Sequence, residues 1–419
     1  MFNMSNKKLF SSVLLLIFSA AIIYSQSVLG LQYPFGLPLQ NSTGPSLAVG
    51  GAGTGVADDF YGMSDNPANL GNVNRAVFST VFALDLLNII EDGDRTSHMS
   101  FSPRILSFSF PMGIIGSLGL SYSQQTDTEL NFRLSRDYPI GNLEETEDLD
   151  LALARNGGTS NWQVGWGIPI KKWATVGIAY QRLYYKSHTS LIRKTEGLLS
   201  DTLIDSTHTA FTGNGIRAGV QTSLKDFTLG ISGQYVFSSS ATDIRTKKGT
   251  RVKTDSPFID SIITTKSSYD LKPAPSLAFG ASYRISPEWF AAMEIGATLW
   301  ERFYSGISKK SEQYDRAYNF SIGTEYIPAP NLLTPKYYEI MQYRAGFRYS
   351  QLPTPDAAEF AFTLGTGLPL RDGGGLFDIV LEYGRRWDSN FKNFTEEFAG
   401  IYLGINAGRK WYQSAQDSY

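Results

Sequence analysis

The sequence of 419 residues contains no cysteine. The chain therefore has no disulfide bond, no thiolate metal site, no cysteine nucleophile and no cysteine that could carry an N-terminal lipid. Long apolar runs are also missing: after residue 24, no stretch approaches the roughly 18 consecutive apolar residues that a membrane-spanning helix needs. An exported chain of this kind is either a soluble β protein or a β-barrel that spans a membrane with its strands.

The N-terminus has the parts of a secretory signal. Lys7 and Lys8 supply positive charge, a mostly apolar stretch follows up to Tyr24, and small residues come next at Ser25 and Ser27. We predict that residues 1–25 are an export signal, cleaved after Ser25 or Ser27. The alternative is an N-terminal membrane anchor.

Alternation of apolar and polar residues is the main pattern in the rest of the chain. Aromatic residues make up 13% of it, and its 40 glycines suit tight turns. In NWQVGWGIPI, for example, Trp162, Val164 and Trp166 share one face, which is the period of a β-strand. Comparable segments lie near residues 76–85, 101–110, 117–125, 160–168, 174–185, 209–222, 227–237, 275–284, 289–299, 317–327, 340–349, 358–368, 376–385 and 398–408.

Most of these segments have about the ten residues that a tilted transmembrane strand needs. They predict an all-β fold, a transmembrane antiparallel β-barrel of about 14 strands. A soluble sandwich also alternates, but the connections here run long and short in turn, as they do when the two ends of a barrel face different compartments. On this basis we predict that residues 75–408 form a barrel in the outer membrane of a Gram-negative bacterium and that residues 409–419 are a periplasmic tail. The residues expected to face lipid include Phe377, Ile379, Leu381, Tyr383, Trp162, Val164 and Trp166.

The segment ahead of the first strand is too polar for a core strand. It reads GGAGTGVADDFYGMSDNPANLG, with flexible glycines, a short helical turn near residues 56–61 and a turn fixed by Pro67. A wide barrel without a plug would leak, so we predict that residues 26–74 form a hatch inside the lumen. Glycines on the polar faces of the strands, such as Gly165 and Gly346, would let its backbone approach; barrel curvature is the alternative reason for them.

The same segment resembles the FadL/TodX family of outer-membrane transporters of hydrophobic compounds. Asn66-Pro67-Ala68 matches the Asn-Pro-Ala motif of that family's hatch, and Leu70 matches the hydrophobic position after it. The residues before the motif, Ser64 and Asp65, depart from the small residue and aromatic often found there. The resemblance implies a fourteen-stranded barrel plugged by a hatch. Outer loops of such a barrel catch a hydrophobic ligand, which hatch rearrangement then releases.

Three sets of candidate residues follow from these patterns. The predicted hatch and gating residues are Asn66, Pro67, Ala68, Asp58 and Asp59. The charges predicted on the lumen faces are Glu294, Glu325, Arg344, Arg348, Asp378 and Glu382. Leucines among the acids of the 126–159 loop could form a short helix with an apolar side that captures ligand: Leu143, Leu149, Leu151 and Leu153.

Buried charges in a narrow lumen should pair. We hypothesise that Arg344 or Arg348 bonds to Asp58, Asp59 or a wall carboxylate and so latches the hatch; the alternative is that both arginines line a wet channel.

The predicted function is passive uptake of hydrophobic, fatty-acid-like molecules through a hatch-gated barrel. It needs no enzyme chemistry, cofactor, metal or nucleic acid, and its partners would be outer-membrane lipid and lipopolysaccharide. Barrels resembling this family also serve type IX secretion, so a component of a protein-secretion or surface-attachment system is the alternative. A structural, porin-like barrel without a specific ligand is a third interpretation.

Overall fold

The structure of the chain is a computed structural model. It describes residues 27, 29, 35–63, 65–91, 94–139, 146–196, 200–253, 256–306, 314–354, 356–370, 374–390 and 394–409. The predicted export signal, Leu143 and most of the predicted C-terminal tail lie outside these residues. No helix of the described residues is long and apolar enough to cross a membrane.

Strands make up most of the described chain. In order they are β1 Leu37–Pro38, β2 Ala76–Glu91, β3 Asp94–Pro111, β4 Ser117–Asp127, β5 Leu130–Pro139, β6 Thr146–Lys171, β7 Ala174–Glu196, β8 Ser200–Leu224, β9 Phe227–Lys253, β10 Ser256–Tyr269, β11 Leu271–Lys272, β12 Ser276–Arg284, β13 Trp289–Thr298, β14 Tyr304–Ser305, β15 Ala317–Tyr326, β16 Gln342–Gln351, β17 Ala357–Pro369, β18 Gly375–Asp388 and β19 Phe394–Arg409. The α-helices are α1 Gly44–Ala48 and α2 Tyr337–Ile340, and 3₁₀ helices span Pro67–Asn72, Gly113–Ile115 and Trp300–Arg302.

Fourteen of these strands form a closed antiparallel barrel, which confirms the predicted fold and strand number. Closure is made by β19 and β2, paired from Phe394 opposite Glu91 to Arg409 opposite Ala76. The first part of β9 pairs with β12, whereas its continuation pairs with β10, so the β9–β10 hairpin extends the wall beyond one rim. In the same way, β5 pairs with the first part of β6, from Thr146 to Arg155. β1 pairs with the end of β4, and β11 and β14 form a separate two-stranded sheet.

Several connections that the sequence analysis assigned to loops are strands. β6, β7, β8 and β9 contain 26, 23, 25 and 27 residues, so they continue far beyond the predicted segments. The predicted short helix in the 126–159 loop is therefore wrong: Leu149, Leu151 and Leu153 lie in β6, paired with β5 on one side and β7 on the other. These leucines recur at every second position, which is the period of a strand and not of a helix. A ligand-capturing role for them stays a prediction.

The outward face of the barrel is apolar. Five of the seven residues predicted there have exposed side chains: Trp162, Val164, Trp166, Leu381 and Tyr383. Phe377 and Ile379 are half-buried on the same face of β18, and they alternate with fully buried inward residues such as Asp378. An apolar band on the outside of a closed barrel is the surface that lipid would cover.

The residues before the first barrel strand pack against the wall on all sides. We call residues 35–63 and 65–73 the N-terminal segment. Helix α1 contacts β16, β17, β18 and β19, whereas the 3₁₀ helix Pro67–Asn72 contacts β4, β6, β7 and β8 on the opposite side. Between them, Gly55 lies against Gly280 of β12. Most of the segment is buried, including Val49, Asn66 and Ala68, which are 0% exposed.

Glycines in the wall leave the room that the N-terminal segment needs. A Cβ atom added at ten of them would come closer than 3.0 Å to an atom of the N-terminal segment. These are Gly119, Gly165, Gly167, Gly177, Gly219, Gly230, Gly280, Gly323, Gly346 and Gly365. The expectation that wall glycines admit a second backbone is thus confirmed at Gly167, Gly177, Gly230, Gly280, Gly323 and Gly346, whereas the other four positions meet side chains of the segment. At Gly296, Gly384 and Gly400, by contrast, a Cβ would first meet another wall residue.

The outward face can be tested with Leu381→Arg. Leu381 is 51% exposed and pairs in register with Leu364 and Ile401, both also exposed. An arginine there should cost about 2–4 kcal/mol if it lies near the middle of the bilayer, so the folded fraction in lipid vesicles should fall in urea titrations followed by heat-dependent gel mobility. Ile263→Arg is the control, because Ile263 is 60% exposed in the hairpin beyond the rim. Equal losses for both variants would contradict the assignment of the band to lipid.

The fit of the N-terminal segment can be tested within one strand. In Gly230→Ala the new methyl group would collide with the Thr54 carbonyl and lie about 3.0 Å from the Gly55 Cα, whereas at Gly233 the nearest atom is 3.4 Å away. We expect Gly230→Ala to increase hydrogen exchange of residues 45–72 while the barrel stays folded. Gly233→Ala is the matched control and should leave exchange unchanged. Unchanged exchange in both variants would show that the segment does not depend on this contact.

Candidate functional site

Asn66 organises the 3₁₀ helix that it precedes. Its Oδ1 accepts a hydrogen bond from the Ala68 N–H at 3.0 Å, and Pro67 occupies the first helical position, where a missing N–H costs nothing. Its Nδ2 donates to the Thr54 carbonyl at 3.0 Å and lies 3.4 Å from two carbonyl oxygens of the wall, those of Val220 and Ile231. Asn66, Pro67 and Ala68 are all buried, and a gating role for them stays a prediction.

Polar side chains of the wall hold the middle of the N-terminal segment through its backbone. The Glu294 carboxylate accepts hydrogen bonds from Gly53 N–H at 3.1 Å and Thr54 N–H at 2.9 Å. The Gln221 amide donates to the carbonyls of Thr54 and Val56 at 3.1 and 3.0 Å. Glu294 was predicted as a lumen charge, but the role of Gln221 was not predicted.

The two adjacent acids of the segment, Asp58 and Asp59, bond to residues close to them in the sequence. Asp59 pairs with Arg75 at 2.8 Å, just before the first barrel strand. Asp58 accepts a hydrogen bond from the Phe60 N–H at 2.8 Å. The hypothesis gave Arg344 or Arg348 three possible partners: Asp58, Asp59 or a wall carboxylate. Its first two partners are wrong, because both acids bond to nearby residues of the chain instead.

Arg344 and Arg348 bond to carboxylates of the wall instead. Arg344 Nε lies 2.7 Å from Glu325 Oε2, and its Nη1 lies 2.7 Å from Asp378 Oδ1. Arg348 Nη2 lies 2.7 Å from Glu382 Oε1. The arginine side chains are 2% and 6% exposed, so both ion pairs are buried.

The network continues through three residues that the sequence analysis did not select. Glu359 lies 3.6 Å from Arg348 Nε and 2.6 Å from Arg386 Nε, and Arg386 Nη1 is 3.7 Å from Glu396. Arg386 and Glu396 fall between the predicted strand segments 376–385 and 398–408. Glu382, Gly384 and Arg386 alternate with exposed residues. Continuing the predicted strand 376–385 on this pattern would have identified Arg386 as an inward-facing residue.

This ion-pair network stiffens the wall beside helix α1. Removing one partner of a buried pair costs about 3–5 kcal/mol, because the remaining charge is left without compensation. Asp378 also accepts a hydrogen bond from Asn406 Nδ2 at 2.6 Å. A Cβ added at Gly44 would lie 2.6 Å from the Asp378 Cβ, so the network forms part of the surface against which α1 is seated.

Two cavities lie on either side of the N-terminal segment. One, of about 400 Å³, is lined by Ser42, Thr54 and Asp65 of the segment and reaches Trp300 and Leu352 near the rim that β9 and β10 extend. The other, of about 310 Å³, is lined by Val56 and Tyr61 and reaches the short turn at Lys225. The backbone around Gly55 therefore separates the two cavities.

Aromatic side chains border the larger cavity. Phe35, which lines it, has ring centroids 5.5 Å from those of Tyr185 and Phe211 and 5.6 Å from that of Phe303. At the floor of this cavity, burial raises the pKa of Asp65, which accepts a hydrogen bond from the Ser42 hydroxyl. The cavity thus joins an aromatic side to a polar floor made by the N-terminal segment.

Solved structures with a similar fold include a channel and a transporter of hydrocarbons. The CymD monoaromatic hydrocarbon channel is 15% identical, with 89% of this chain and 99% of that chain covered and a TM-score of 0.58. A Pseudomonas aeruginosa FadL homologue is 12% identical, with coverage of 90% and 100% and a TM-score of 0.60. The Pseudomonas putida toluene transporter TodX is 15% identical, with coverage of 88% and 98% and a TM-score of 0.58. The resemblance to FadL/TodX is thereby confirmed as a likeness of fold.

The sequence itself matches one family model. No curated protein matches the chain. The BamG family model, in contrast, matches residues 5–416, which is nearly the whole sequence. The protein therefore belongs to the BamG family.

Proposed function

We propose that the protein is an outer-membrane barrel of a Gram-negative bacterium through which hydrophobic small molecules enter passively. The observation that carries this proposal is the pair of cavities separated by the N-terminal segment. Their volumes, about 310 and 400 Å³, are within the range of small-molecule sites. The larger is lined by the rings of Phe35 and Trp300 beside charged residues such as Arg217 and Glu294, so an apolar compound would contact its aromatic side. The named substrates of TodX and CymD, toluene and monoaromatic hydrocarbons, are compounds of that class.

In this proposal residues 26–74 are the hatch. The resting barrel is closed because the wall glycines admit the segment's backbone and Glu294, Gln221 and Asn66 bond it in place. A compound held against the aromatic side of the larger cavity passes when the backbone near Gly55 moves away from β9 and β12. No cofactor or covalent step is required, because transfer of an apolar molecule out of water is itself favourable.

A reversible lock tests this mechanism, and the absence of native cysteine makes the lock specific. A Cβ at Gly365 would lie 2.6 Å from the Ala48 Cβ, so Ala48→Cys with Gly365→Cys can form a disulfide after a small relaxation. Uptake of radiolabelled oleate or toluene into vesicles should fall to the protein-free rate in the oxidised barrel and recover on reduction. Each single variant serves as the control for oxidation. Equal uptake before and after reduction would contradict gating by the segment.

A second candidate function is a barrel component of a protein-secretion or surface-attachment system. The observation that favours it is the buried ion-pair network, which makes one side of the interior polar and closed, with Arg344 and Asp378 side chains only 2% and 0% exposed. A fixed, filled barrel serves as a scaffold for another protein without opening.

The same locked variant separates the two functions in cells that lack the native gene. A scaffold should restore the wild-type phenotype with the hatch locked, whereas an uptake channel should restore it only when the disulfide is absent. The Ala48→Cys single variant controls for the substitution itself. Rescue by the locked barrel together with unaltered oleate uptake by the gene-deleted cells would exclude the transport proposal.

A further inference from the structure

Arg182 of β7 lies at one edge of the apolar band on the outside of the barrel. It pairs in register with Trp162 of β6 and Asn214 of β8. The adjacent outward row toward the short turns consists of exposed apolar and aromatic side chains: Val164, Tyr180 and Ile216. The adjacent row toward the rim that β9 and β10 extend consists of hydroxyl-bearing side chains: Ser160, Tyr184 and Thr212. Because lipid covers the apolar rows and aromatic girdles mark their edges, Arg182 lies where hydrocarbon gives way to headgroups.

This edge of the band belongs to the outer leaflet. In outer-membrane barrels the short turns face the periplasm and the longer connections face outward. β7 begins at Ala174, directly after a short turn, and continues to Glu196 beyond the rim. Arg182 is its ninth residue, and a tilted strand crosses the membrane in about 9–11 residues. Arg182 therefore lies at the level of the headgroups of outer-leaflet lipid.

Neighbouring side chains position the Arg182 guanidinium group on this outer surface. Its Nη1 donates to Asn214 Oδ1 at 2.5 Å, and the same oxygen accepts a hydrogen bond of 2.5 Å from the Tyr180 hydroxyl. The centre of the guanidinium group lies 5.3 Å from the centroid of the Tyr184 ring. Asn214 is its only hydrogen-bond acceptor among the described residues. Since a guanidinium group has five N–H donors, the others remain for a ligand.

The positive charge at this place has no acidic counterpart in the described part of the chain. Lys186 is the next cation on the same face of β7, and it is exposed. Neither Arg182 nor Lys186 forms an ion pair with a described residue. The outward positions beside them on β6 and β8 are all uncharged: Gly158, Ser160, Trp162, Ala210, Thr212 and Asn214. Two uncompensated cations at the membrane surface attract an anionic headgroup.

We propose that Arg182 and Lys186 form a binding site for a phosphate group of lipid A, the phosphorylated glycolipid that anchors lipopolysaccharide in the outer leaflet. The planar guanidinium group can bind two phosphate oxygens at once, and Lys186 adds a positive charge beside the membrane surface. Trp162 and Tyr184, 45% and 39% exposed, supply aromatic surface for the sugar and the acyl chains. The inference rests on the outer-membrane location in the proposed function, but not on the hatch or on uptake of any compound.

The first experiment measures binding of lipid A that carries both phosphates to the delipidated barrel in detergent, by native mass spectrometry. Arg182→Gln keeps a hydrogen-bonding side chain but removes the charge, and its dissociation constant should rise about 10-fold, because hydrogen bonds between charged groups are the stronger ones. Lys171→Gln is the matched control, since the Lys171 ammonium lies 5.3 Å from the Trp173 ring at the opposite edge of the barrel. It should bind like wild type. Equal dissociation constants for wild type and Arg182→Gln, or an equal loss in the control, would overturn the site.

The second experiment uses the wild-type barrel alone, so it does not depend on how a variant folds. Lipid A stripped of its phosphates, and phosphatidylglycerol, should each bind at least ~10-fold more weakly than phosphorylated lipid A. Equal binding of the stripped lipid would overturn the role of the phosphate. Equal binding of phosphatidylglycerol, or complete displacement of lipid A by equimolar inorganic phosphate, would reveal a general anion site and overturn the assignment to lipid A. None of these outcomes bears on uptake, which the disulfide lock tests separately.

Discussion

Closure of the sheet is the constraint on which the rest of this structure depends. An open strand edge in lipid would leave backbone groups unpaired at a cost of several kcal/mol each, and the pairing of β19 with β2 along its length removes that edge. Once the sheet is closed, the alternation of each strand assigns one set of side chains to the outside and the other to the interior. Leu381 is therefore exposed, whereas its neighbours Val380 and Glu382 are buried. Polar side chains of the strands are thus confined to the interior of the barrel, where each buried charge needs a partner.

The two sides of that space are filled by different interactions. Wall glycines admit the N-terminal segment on both sides. Beside β15–β19, however, the wall also carries ion pairs among its own charges, whereas beside β6–β12 the Gln221 amide bonds to the segment. The segment is thus held mainly by neutral hydrogen bonds, each worth about 1 kcal/mol net. Glu294 is the exception, because withdrawal of Gly53 and Thr54 would deprive a charged group of two donors.

The sequence patterns were enough to predict the strands of the wall but not the contacts that their side chains make. Alternation identified the strand number, the outward position of Trp162 and the inward position of Arg344, because period two is a local property of the chain. It did not show that β6 to β9 continue beyond the rim, since polar and apolar residues alternate there without the aromatic content of the lipid-facing part. Nor could it assign partners: Arg344 meets Asp378 and not Asp58 because of barrel register, which only the closed sheet determines.

The path of the N-terminal segment limits how the proposed hatch can move. Leu29, which precedes the segment, is bound at Glu396 of β19, and Asp59 within the segment pairs with Arg75 just before β2. Both contacts lie at the seam where the barrel closes. Helix α1 stays on the same side, where Leu47 and Ala48 pack with Val380 and Tyr402. Three other parts of the segment reach the opposite wall. Phe35 packs against Tyr185 and Phe211, the backbone near Gly55 lies against Gly230 and Gly280, and the 3₁₀ helix Pro67–Asn72 contacts β6, β7 and β8. In the proposed opening, the part near Gly55 withdraws toward the seam, where helix α1 must shift to make room for it. The contacts that break are those that Glu294, Gln221, Ser282 and Asn66 make with this part.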